Sequence, residues 1–379
     1  MIYLDNAATT KVSQEVRDAM FECMENNYGN PGSIHSAGRD AYKAVWDAKV
    51  KLGNIINGEP EHVIFTSGGS EANNLALRGI SSHLEQLGLT HIITTAVEHK
   101  SVLNPLKQLS FDGRFDVTYI KPDEDGSISL QKIKDSITDK TGVLSVMGVN
   151  NETGNLHDLK ALGNLCRREQ LFFHTDCVQA FCQTPIDVNE FEIDFLTASA
   201  HKIHGPKGVG MLWCRFNHMI DPIILGGKQE FGLRAGTENV PGIVGFGVAA
   251  ELAAKRIESE KNEYTRKINE LNRRLFSELG EIIHINGMPY EGSKTINYRF
   301  DGVDGETLVL ALNAAGIMVS AGSACNSHSA EASHVLKAYG LTDRESRSSI
   351  RISLSKYTTM EDIIFAADQI IQSVRILRG

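Results

Sequence analysis

Residues 65–73 read Phe-Thr-Ser-Gly-Gly-Ser-Glu-Ala-Asn and join a short apolar run to a longer helical segment through small residues. Glycines let the backbone close around an anion, and the free N–H groups at the start of a helix favour a phosphate. The spacing matches neither a P-loop nor the G-x-G-x-x-G fingerprint. Because many loops between a strand and a helix have this composition, the stretch alone predicts only a strand, a turn and a helix.

On both sides of this turn, from about residue 60 to residue 215, short β-rich runs alternate with longer helical segments. This alternation predicts a mostly parallel sheet with helices on both faces, and ligands then collect at the carboxyl ends of the strands. The middle runs are apolar without strict alternation, as expected for strands that are buried on both faces. The predicted strands are 62–66, 91–95, 115–120, 143–149, 171–175, 195–199 and 208–213, and the predicted helices are 70–87, 101–109, 130–137 and 158–169.

The pattern changes after residue 215, where a glycine-rich loop at 226–232 is followed by a long helical stretch at 241–279. From Ile282 onward, strands and helices alternate again. A chain of 379 residues is long enough for two domains, since one domain usually takes roughly 100–200 residues. We predict a large domain over residues 16–258 and a smaller α/β C-terminal domain over residues 259–379, which residues 1–15 join.

Charge and composition restrict the partners and the compartment. The formal net charge of −9 argues against a nucleic-acid partner, because such binding depends on Lys and Arg neutralising phosphates. No apolar run approaches the roughly 20 residues that span a bilayer, and the N-terminus has no signal-peptide pattern. The six cysteines form no C-x-x-C pair. We therefore predict a cytoplasmic protein with reduced thiols and no membrane association.

Two further stretches carry side chains that can take part in catalysis. Residues 199–208 place Lys202 just after a predicted strand, among small residues, and residues 173–179 place Asp176 at the end of another strand. Taken singly, such a lysine is most often a surface residue and such an aspartate is often a helix cap. Together with the 65–73 turn they supply a phosphate cradle, a carboxylate for a pyridine nitrogen and an amine for an aldehyde. These are the groups that pyridoxal phosphate requires.

With these residues in place, the sequence resembles the cysteine desulfurases, which are fold-type I, class-V pyridoxal-phosphate enzymes. The resemblance implies an α/β fold in which a mostly parallel seven-stranded sheet forms the large domain. It extends over nearly the whole chain. The matching stretches are residues 3–10, 29–31, 66–74, 98–100, 149–154, 174–179, 199–208, 234–239, 320–325 and 349–353.

The resemblance assigns the cofactor-binding residues. Lys202 would bind the aldehyde of pyridoxal phosphate covalently, and Asp176 would pair with the pyridine nitrogen. His99 would stack on the ring and serve in acid–base steps. The remaining contacts would come from Gln179 and Asn151 at the phenolic oxygen, from Gly69, Ser70, Ser199 and His201 at the phosphate, and from Thr237 at the phosphate of the other subunit. The last contact implies a homodimer.

The resemblance also implies the reaction. Arg351, together with Asn151, would bind the carboxylate of L-cysteine, and the products would be L-alanine and a persulfide on Cys325. The small residues around Cys325 favour an accessible loop, and its thiol needs a nearby base such as His99 to ionise. The sulfur would pass to an acceptor protein, either an iron–sulfur scaffold or a tRNA-thiolation enzyme. No metal site is predicted, although Cys325 could contact an iron–sulfur cluster during transfer.

Two other functions remain open at this point. One is a different pyridoxal-phosphate reaction on the same fold, such as that of a selenocysteine lyase or an aminotransferase. The other is a non-catalytic sulfur-carrier subunit. The chain departs from the family pattern at Cys177, where alanine is usual and where we interpret the thiol as structural, at Phe231, where a basic residue is common, and at residues 330–334.

Overall fold

The computed structural model describes residues 1–321 and 332–379. After a short strand β1 (Ile2–Tyr3), seven strands form the larger sheet. They are β2 (Val63–Thr66), β3 (His91–Thr95), β4 (Asp116–Ile120), β5 (Thr141–Ser145), β6 (Phe172–Asp176), β7 (Phe195–Ser199) and β8 (Gly210–Cys214). The remaining strands are β9 (Ile283–Ile285), β10 (Thr295–Phe300), β11 (Ile317–Met318) and β12 (Ser349–Ser353).

The larger sheet has the order β2-β8-β7-β6-β5-β3-β4. Four of its six strand pairs are parallel, and the two antiparallel pairs both involve β8. The prediction of a mostly parallel seven-stranded sheet is therefore confirmed. Because β8 alone runs the other way, the carboxyl ends of β2, β3, β5, β6 and β7 lie at the same edge of the sheet, where ligands bind in such folds.

Thirteen α-helices lie in the described part of the chain. They are α1 (Gln14–Asn26), α2 (Ser36–Ile55), α3 (Gly69–Gly79), α4 (Ser81–Gln86), α5 (Lys100–Phe111), α6 (Leu130–Asp135), α7 (Leu159–Glu169), α8 (Val240–Ala254), α9 (Ile257–Leu279), α10 (Gly305–Ala314), α11 (His334–Ala338), α12 (Asp343–Arg347) and α13 (Met360–Arg378). Within residues 1–321 and 332–379, no helix is long and apolar enough to cross a membrane.

Three predicted elements are divided or differ from the observed bounds by more than two residues. The helix expected over 70–87 is interrupted at Ile80, because the carbonyl of Gly79 accepts the N–H of Asp221 at 2.9 Å instead of continuing the helix. The stretch 241–279 forms two helices, α8 and α9. The strand expected over 143–149 is observed as β5 (Thr141–Ser145). Val149 pairs with Leu156 in an isolated antiparallel bridge, and the chain then turns at Asn150, whose Oδ1 accepts the N–H of Glu152 at 2.9 Å.

A second sheet has the order β12-β10-β9 and is antiparallel throughout. Its apolar side chains pack with α9, α10 and α13 into a core that also holds Leu4. The N-terminal segment runs along this sheet, because Leu4 accepts the N–H of Ser353 at 2.7 Å and Asn6 donates to the carbonyl of Ser353 at 3.3 Å. This segment then reaches the edge of the larger sheet at residues 7–10, so it links the two sheets beside the site.

Candidate active site

A cavity lies at the carboxyl ends of β2, β3, β5, β6 and β7. It brings together ten of the residues predicted from the sequence: Gly69, Ser70, His99, Asn151, Asp176, Gln179, Ser199, His201, Lys202 and Arg351. Thr237 does not line this cavity and is exposed. Cys325 lies outside the described residues.

Lys202 is positioned by the end of β7. The strand ends at Ser199, and one turn of 3₁₀ helix (Ala200–Lys202) follows. Lys202 Nζ donates to the carbonyl oxygens of Ala7 and Ala8 at 2.6 and 2.8 Å. Gln179 Nε2 donates to the same Ala7 oxygen at 2.9 Å. The N-terminal segment therefore supplies the acceptors that hold the lysine amine at the cavity.

Asp176 is the last residue of β6 and is 4% exposed. Its Oδ1 accepts the N–H of Val178 at 2.9 Å, and its Oδ2 accepts Asn73 Nδ2 at 2.7 Å. These two N–H donors fix the direction of the carboxylate, and a carboxylate at this place is the group that a pyridine nitrogen needs to stay protonated. Sequence analysis missed Asn73. The available signal was its spacing, since a residue four positions after Gly69 lies on the same face of α3 as the turn.

His99 caps the N-terminus of α5. Its Nδ1 accepts the N–H of Ser101 at 3.1 Å and lies 2.7 Å from Ser101 Oγ. Ser101 Oγ in turn accepts Asn73 Nδ2 at 2.9 Å, so the hydroxyl hydrogen points toward His99. This hydrogen-bond pattern assigns the proton of a neutral His99 ring to Nε2. A chain of hydrogen bonds thus runs from His99 through Ser101 and Asn73 to Asp176.

The turn after β2 and the end of β7 form the opposite end of the cavity. A Cβ atom on Gly69 would lie 2.6 Å from Val178 Cγ2, so only glycine fits there. Ser199 Oγ is buried and has no partner among the described residues. Burial, followed by the charge of Lys202, lowers the pKa of His201 to about 3, so its imidazole is neutral at physiological pH. Its Nδ1 lies 3.1 Å from Thr9 Oγ1.

Arg351 reaches the cavity from the second sheet. It lies on β12 and is 1% exposed. Its Nη1 donates to the carbonyl of Asn151 at 3.0 Å, and its Nη2 donates to Asp5 Oδ1 at 2.7 Å. Its Nε is buried and has no partner in the described part of the chain. Asp5 was not predicted as a site residue, because its carboxylate and Arg351 are 346 positions apart in the sequence.

The polar atoms of the cavity fit pyridoxal phosphate. Ser199 Oγ, Gln179 Oε1 and Arg351 Nε are buried atoms without a partner among the described residues, and each belongs to a residue that lines the cavity. Buried polar atoms are normally hydrogen-bonded, so such atoms mark places where a ligand supplies the missing partner. Among the described residues, no group of three or more His, Cys, Asp or Glu side chains could hold a metal ion.

The described residues at which the chain departs from the family pattern do not line the cavity. Cys177 is fully buried, and burial raises the pKa of its thiol to about 12, which agrees with a structural residue. Phe231 is 58% exposed, and its ring lies 4.8 Å from Lys49 Nζ. Of residues 330–334, Ser333 and His334 contact loops that follow strands of the larger sheet. Ser333 Oγ donates to Glu152, and His334 Nε2 lies 2.9 Å from the carbonyl oxygen of Glu98.

The fold and the cavity agree with the family found by comparison with known proteins. The class-V aminotransferase family model matches residues 2–364, and the chain belongs to this family. Its fold is that of the fold-type I pyridoxal-phosphate enzymes.

Similar proteins define the branch of the family. The chain is 42% identical to a cysteine desulfurase IscS of Methanosarcina thermophila, over 100% of this chain and 93% of that protein. It is 41% identical to a cysteine desulfurase IscS of Clostridium botulinum, over 97% of this chain and 92% of that protein. A solved NifS-like protein superposes with a TM-score of 0.92 at 34% identity, over 99% of this chain and 100% of that chain. The structure described as SspA in complex with cysteine has a TM-score of 0.83 at 36% identity, over 95% and 100%. The function of the chain is that of a cysteine desulfurase.

Proposed function

We propose that this chain binds pyridoxal phosphate at the described cavity and converts L-cysteine to L-alanine, with transfer of the sulfur to Cys325. The observation that carries the proposal is the convergence of Lys202, Asp176 and Arg351 on one cavity from three different strands. An amine, a buried carboxylate and a guanidinium are the groups needed for an aldehyde, a pyridine nitrogen and a substrate carboxylate.

We assign the cofactor-binding roles from the family resemblance, and the position of nine of these residues at the cavity supports the assignment. Lys202 would hold the aldehyde, and Asp176, supported by Asn73, would face the ring nitrogen. His99 would lie against the ring. Gln179 and Asn151 would approach the phenolic oxygen. The phosphate would contact Gly69, Ser70, Ser199 and His201, with Thr237 of a second subunit. When bound, the cofactor supplies an electron sink for the pair of electrons left at the substrate Cα.

Different residues of the chain then carry out the separate steps of the reaction. Arg351 binds the substrate carboxylate, and the amine of Lys202 removes the Cα proton. The Cys325 thiolate attacks the substrate sulfur. The bond between Cβ and sulfur breaks as the new sulfur–sulfur bond forms, and Cβ takes up a proton to give L-alanine. His99, whose Nδ1 is held by Ser101, presents Nε2 to the cavity as the atom that would exchange a proton there.

The partners belong to the same proposal. Thr237 is exposed and lies away from the cavity of its own chain, which supports a homodimer in which it reaches the other subunit. The SspA structure was determined with cysteine, which supports L-cysteine as the substrate here. The persulfide would pass to an acceptor protein of iron–sulfur assembly or tRNA thiolation, in the cytoplasm. The domain boundary between residues 258 and 259 stays a prediction, which the separate core of Leu4 and residues 264–374 supports.

The first experiment tests the cofactor. The purified protein, incubated with pyridoxal phosphate and freed of excess, should be yellow, and Lys202→Ala should lose the covalent absorption band. A wild-type protein that takes up no cofactor would contradict the proposal and favour the sulfur-carrier function.

The second experiment tests the sulfur step. With ³⁵S-labelled L-cysteine, the wild-type protein should retain label that dithiothreitol releases, and Cys325→Ala should retain none and form no alanine. Cys177→Ala is the matched control, because its buried thiol is not part of the step, and it should retain the label. If Cys325→Ala still formed alanine and sulfide, the proposed mechanism, in which the sulfur passes to Cys325, would be wrong.

A further inference from the structure

Arg351 forms two hydrogen bonds with other groups of the chain. Its Nη2 donates to Asp5 Oδ1 at 2.7 Å, and its Nη1 donates to the carbonyl of Asn151 at 3.0 Å. The arginine side chain is 2% exposed and that of Asp5 is 19% exposed. A charge-assisted hydrogen bond of this length in a nearly closed environment holds both groups in one orientation.

Contacts between residues 5–7 and Ser353 fix the position of Asp5. Asp5 forms a parallel bridge with Ser353 on β12, two residues after Arg351. Ala7 N donates to Ser353 Oγ at 2.8 Å, and Asn6 Nδ2 donates to the carbonyl of Ser353 at 2.9 Å. The carboxylate of Asp5 therefore has little freedom, and the guanidinium that it binds is oriented by a rigid partner.

One nitrogen of the Arg351 guanidinium, Nε, makes no hydrogen bond within the described residues. Arg351 Nε is buried and has no partner in residues 1–321 and 332–379, although the residue lines the cavity. An N–H group in such a place costs free energy unless something accepts it. A carboxylate oxygen of the substrate is the acceptor that the proposed function supplies, and the inference rests on that proposed function.

We propose that Asp5 is a positioning residue for substrate binding: by holding Nη2 in a fixed direction, it presents the Nε–H of Arg351 to the carboxylate of the substrate. Asp5 acts through its geometry and does not itself contact the substrate. The specificity for an α-carboxylate then depends on where the Asp5 oxygen lies, more than on its negative charge.

The test compares two ligands that differ only in a carboxylate, L-alanine and ethylamine, by isothermal titration calorimetry on the cofactor-loaded protein. The wild type should bind L-alanine at least about tenfold more tightly, as expected for one charged hydrogen bond. Asp5→Asn keeps an oxygen at the Oδ1 position and should keep this preference. Asp5→Glu keeps the charge but moves it by one methylene, so it should lose about tenfold of the preference.

The outcomes separate this inference from the proposed function. Unchanged preference in Asp5→Glu, or equal losses in Asp5→Asn and Asp5→Glu, would overturn the positioning role. Arg351→Ala should abolish the preference, and if it does not, the substrate role of Arg351 itself fails. Thermal unfolding of all variants distinguishes positioning from a merely structural role, because a structural role lowers the melting temperature without changing the preference. If Asp5→Glu does not fold, Asp5→Ser, which is too short to reach Nη2, takes its place with the same expected loss.

Discussion

At the scale of the residue, Glu98 is a buried carboxyl group directly behind the active site. It is 0% exposed, its Oε1 accepts Thr95 Oγ1 at 2.8 Å and the N–H of Met147 at 2.9 Å, and its Oε2 has no partner among the described residues. Burial raises the pKa of Glu98 to about 8, with the nearby charge of Asp176 acting in the same direction. Glu98 is therefore protonated at neutral pH and adds no second negative charge beside Asp176.

Replacing this residue gives a pH-dependent prediction. The pKa in the folded state, about 8, lies above the ordinary value of 4.5, so the folded protein binds this proton more tightly than the unfolded chain does. The free energy of unfolding of the wild type should therefore fall as pH rises from 5 to 8. Glu98→Gln has no titrating group at this position. Its free energy of unfolding, relative to that of the wild type, should therefore rise by on the order of 4 kcal/mol between pH 5 and 8.

Urea unfolding at pH 5, 6.5 and 8 measures this difference. Glu25→Gln, at an exposed position of α1, is the control and should show no growing advantage. Equal pH slopes for the wild type and Glu98→Gln would mean that Glu98 is ionised in the folded protein.

At the scale of the element, the turn between β2 and α3 is stabilised by hydrogen bonds to both carboxylate oxygens of Glu71. Glu71 Oε2 accepts the N–H of Ser67 at 2.8 Å, and its Oε1 accepts Arg234 Nε at 2.9 Å. The same carboxylate thus closes the turn and ties it to the segment that carries Thr237. Arg234 bonds to the turn, so if Thr237 reaches the other subunit as proposed, this ion pair would connect the phosphate ends of both proposed sites.

Gly69 gives the prediction for this element. Gly69→Ala would place a Cβ atom 2.6 Å from Val178 Cγ2, so the turn must open and its N–H groups move from the phosphate. We expect the affinity for pyridoxal phosphate to fall about tenfold, the loss of about one charged hydrogen bond. Fluorescence titration of the cofactor-free protein measures it.

A second substitution tests the steric cause. Val178→Ala removes the contacting methyl group, so the double variant with Gly69→Ala should recover most of the affinity. Val178→Ala alone serves as the control. If the double variant binds as weakly as Gly69→Ala, the effect does not come from this contact.

At the scale of the whole molecule, the site depends on contact between the two sheets. Arg351 comes from β12, and the side chain of Lys294, which precedes β10, donates from Nζ to the carbonyl of Lys202 at 3.1 Å. Lys294 is 6% exposed and has no ion-pair partner in the described part of the chain. Burial lowers the pKa of Lys294 to about 8. Burial of this ammonium group costs stability, and the charge of Glu260 offsets only part of the cost, so the contact between the two sheets carries a free-energy cost.

Lys294→Met should therefore stabilise the fold below pH 8. The pKa in the folded state is below the ordinary value of 10.5, so the unfolded wild-type chain binds more protons between pH 8 and 10.5, and wild-type stability rises across this range. The difference in free energy of unfolding between Lys294→Met and the wild type should therefore decrease by on the order of 3 kcal/mol between pH 8 and 10.5. Guanidinium unfolding at pH 7, 8, 9 and 10 checks it, with the exposed Lys134→Met as control. An advantage that does not change with pH would show that the pKa of Lys294 is not lowered in the folded protein.

The sequence by itself determined the larger sheet and most of the cavity. Strand–turn–helix patterns depend on neighbours in the chain, so the alternation located β2, β3, β6 and β7 within one or two residues, and it placed Lys202 and Asp176 at strand ends. The turn at Asn150 and the break at Ile80 were missed, because each depends on one particular hydrogen bond that periodicity does not reveal.

Only the tertiary structure decided which side chains support the site. Asn73 bonds to Asp176 over 103 positions and Asp5 bonds to Arg351 over 346 positions. Lys294 meets the carbonyl of Lys202 from the other sheet, and the protonation of Glu98 depends on its complete burial. Local patterns carry no information on such contacts, because hydrogen bonds and burial between distant segments arise only when the sheets and the N-terminal segment pack together.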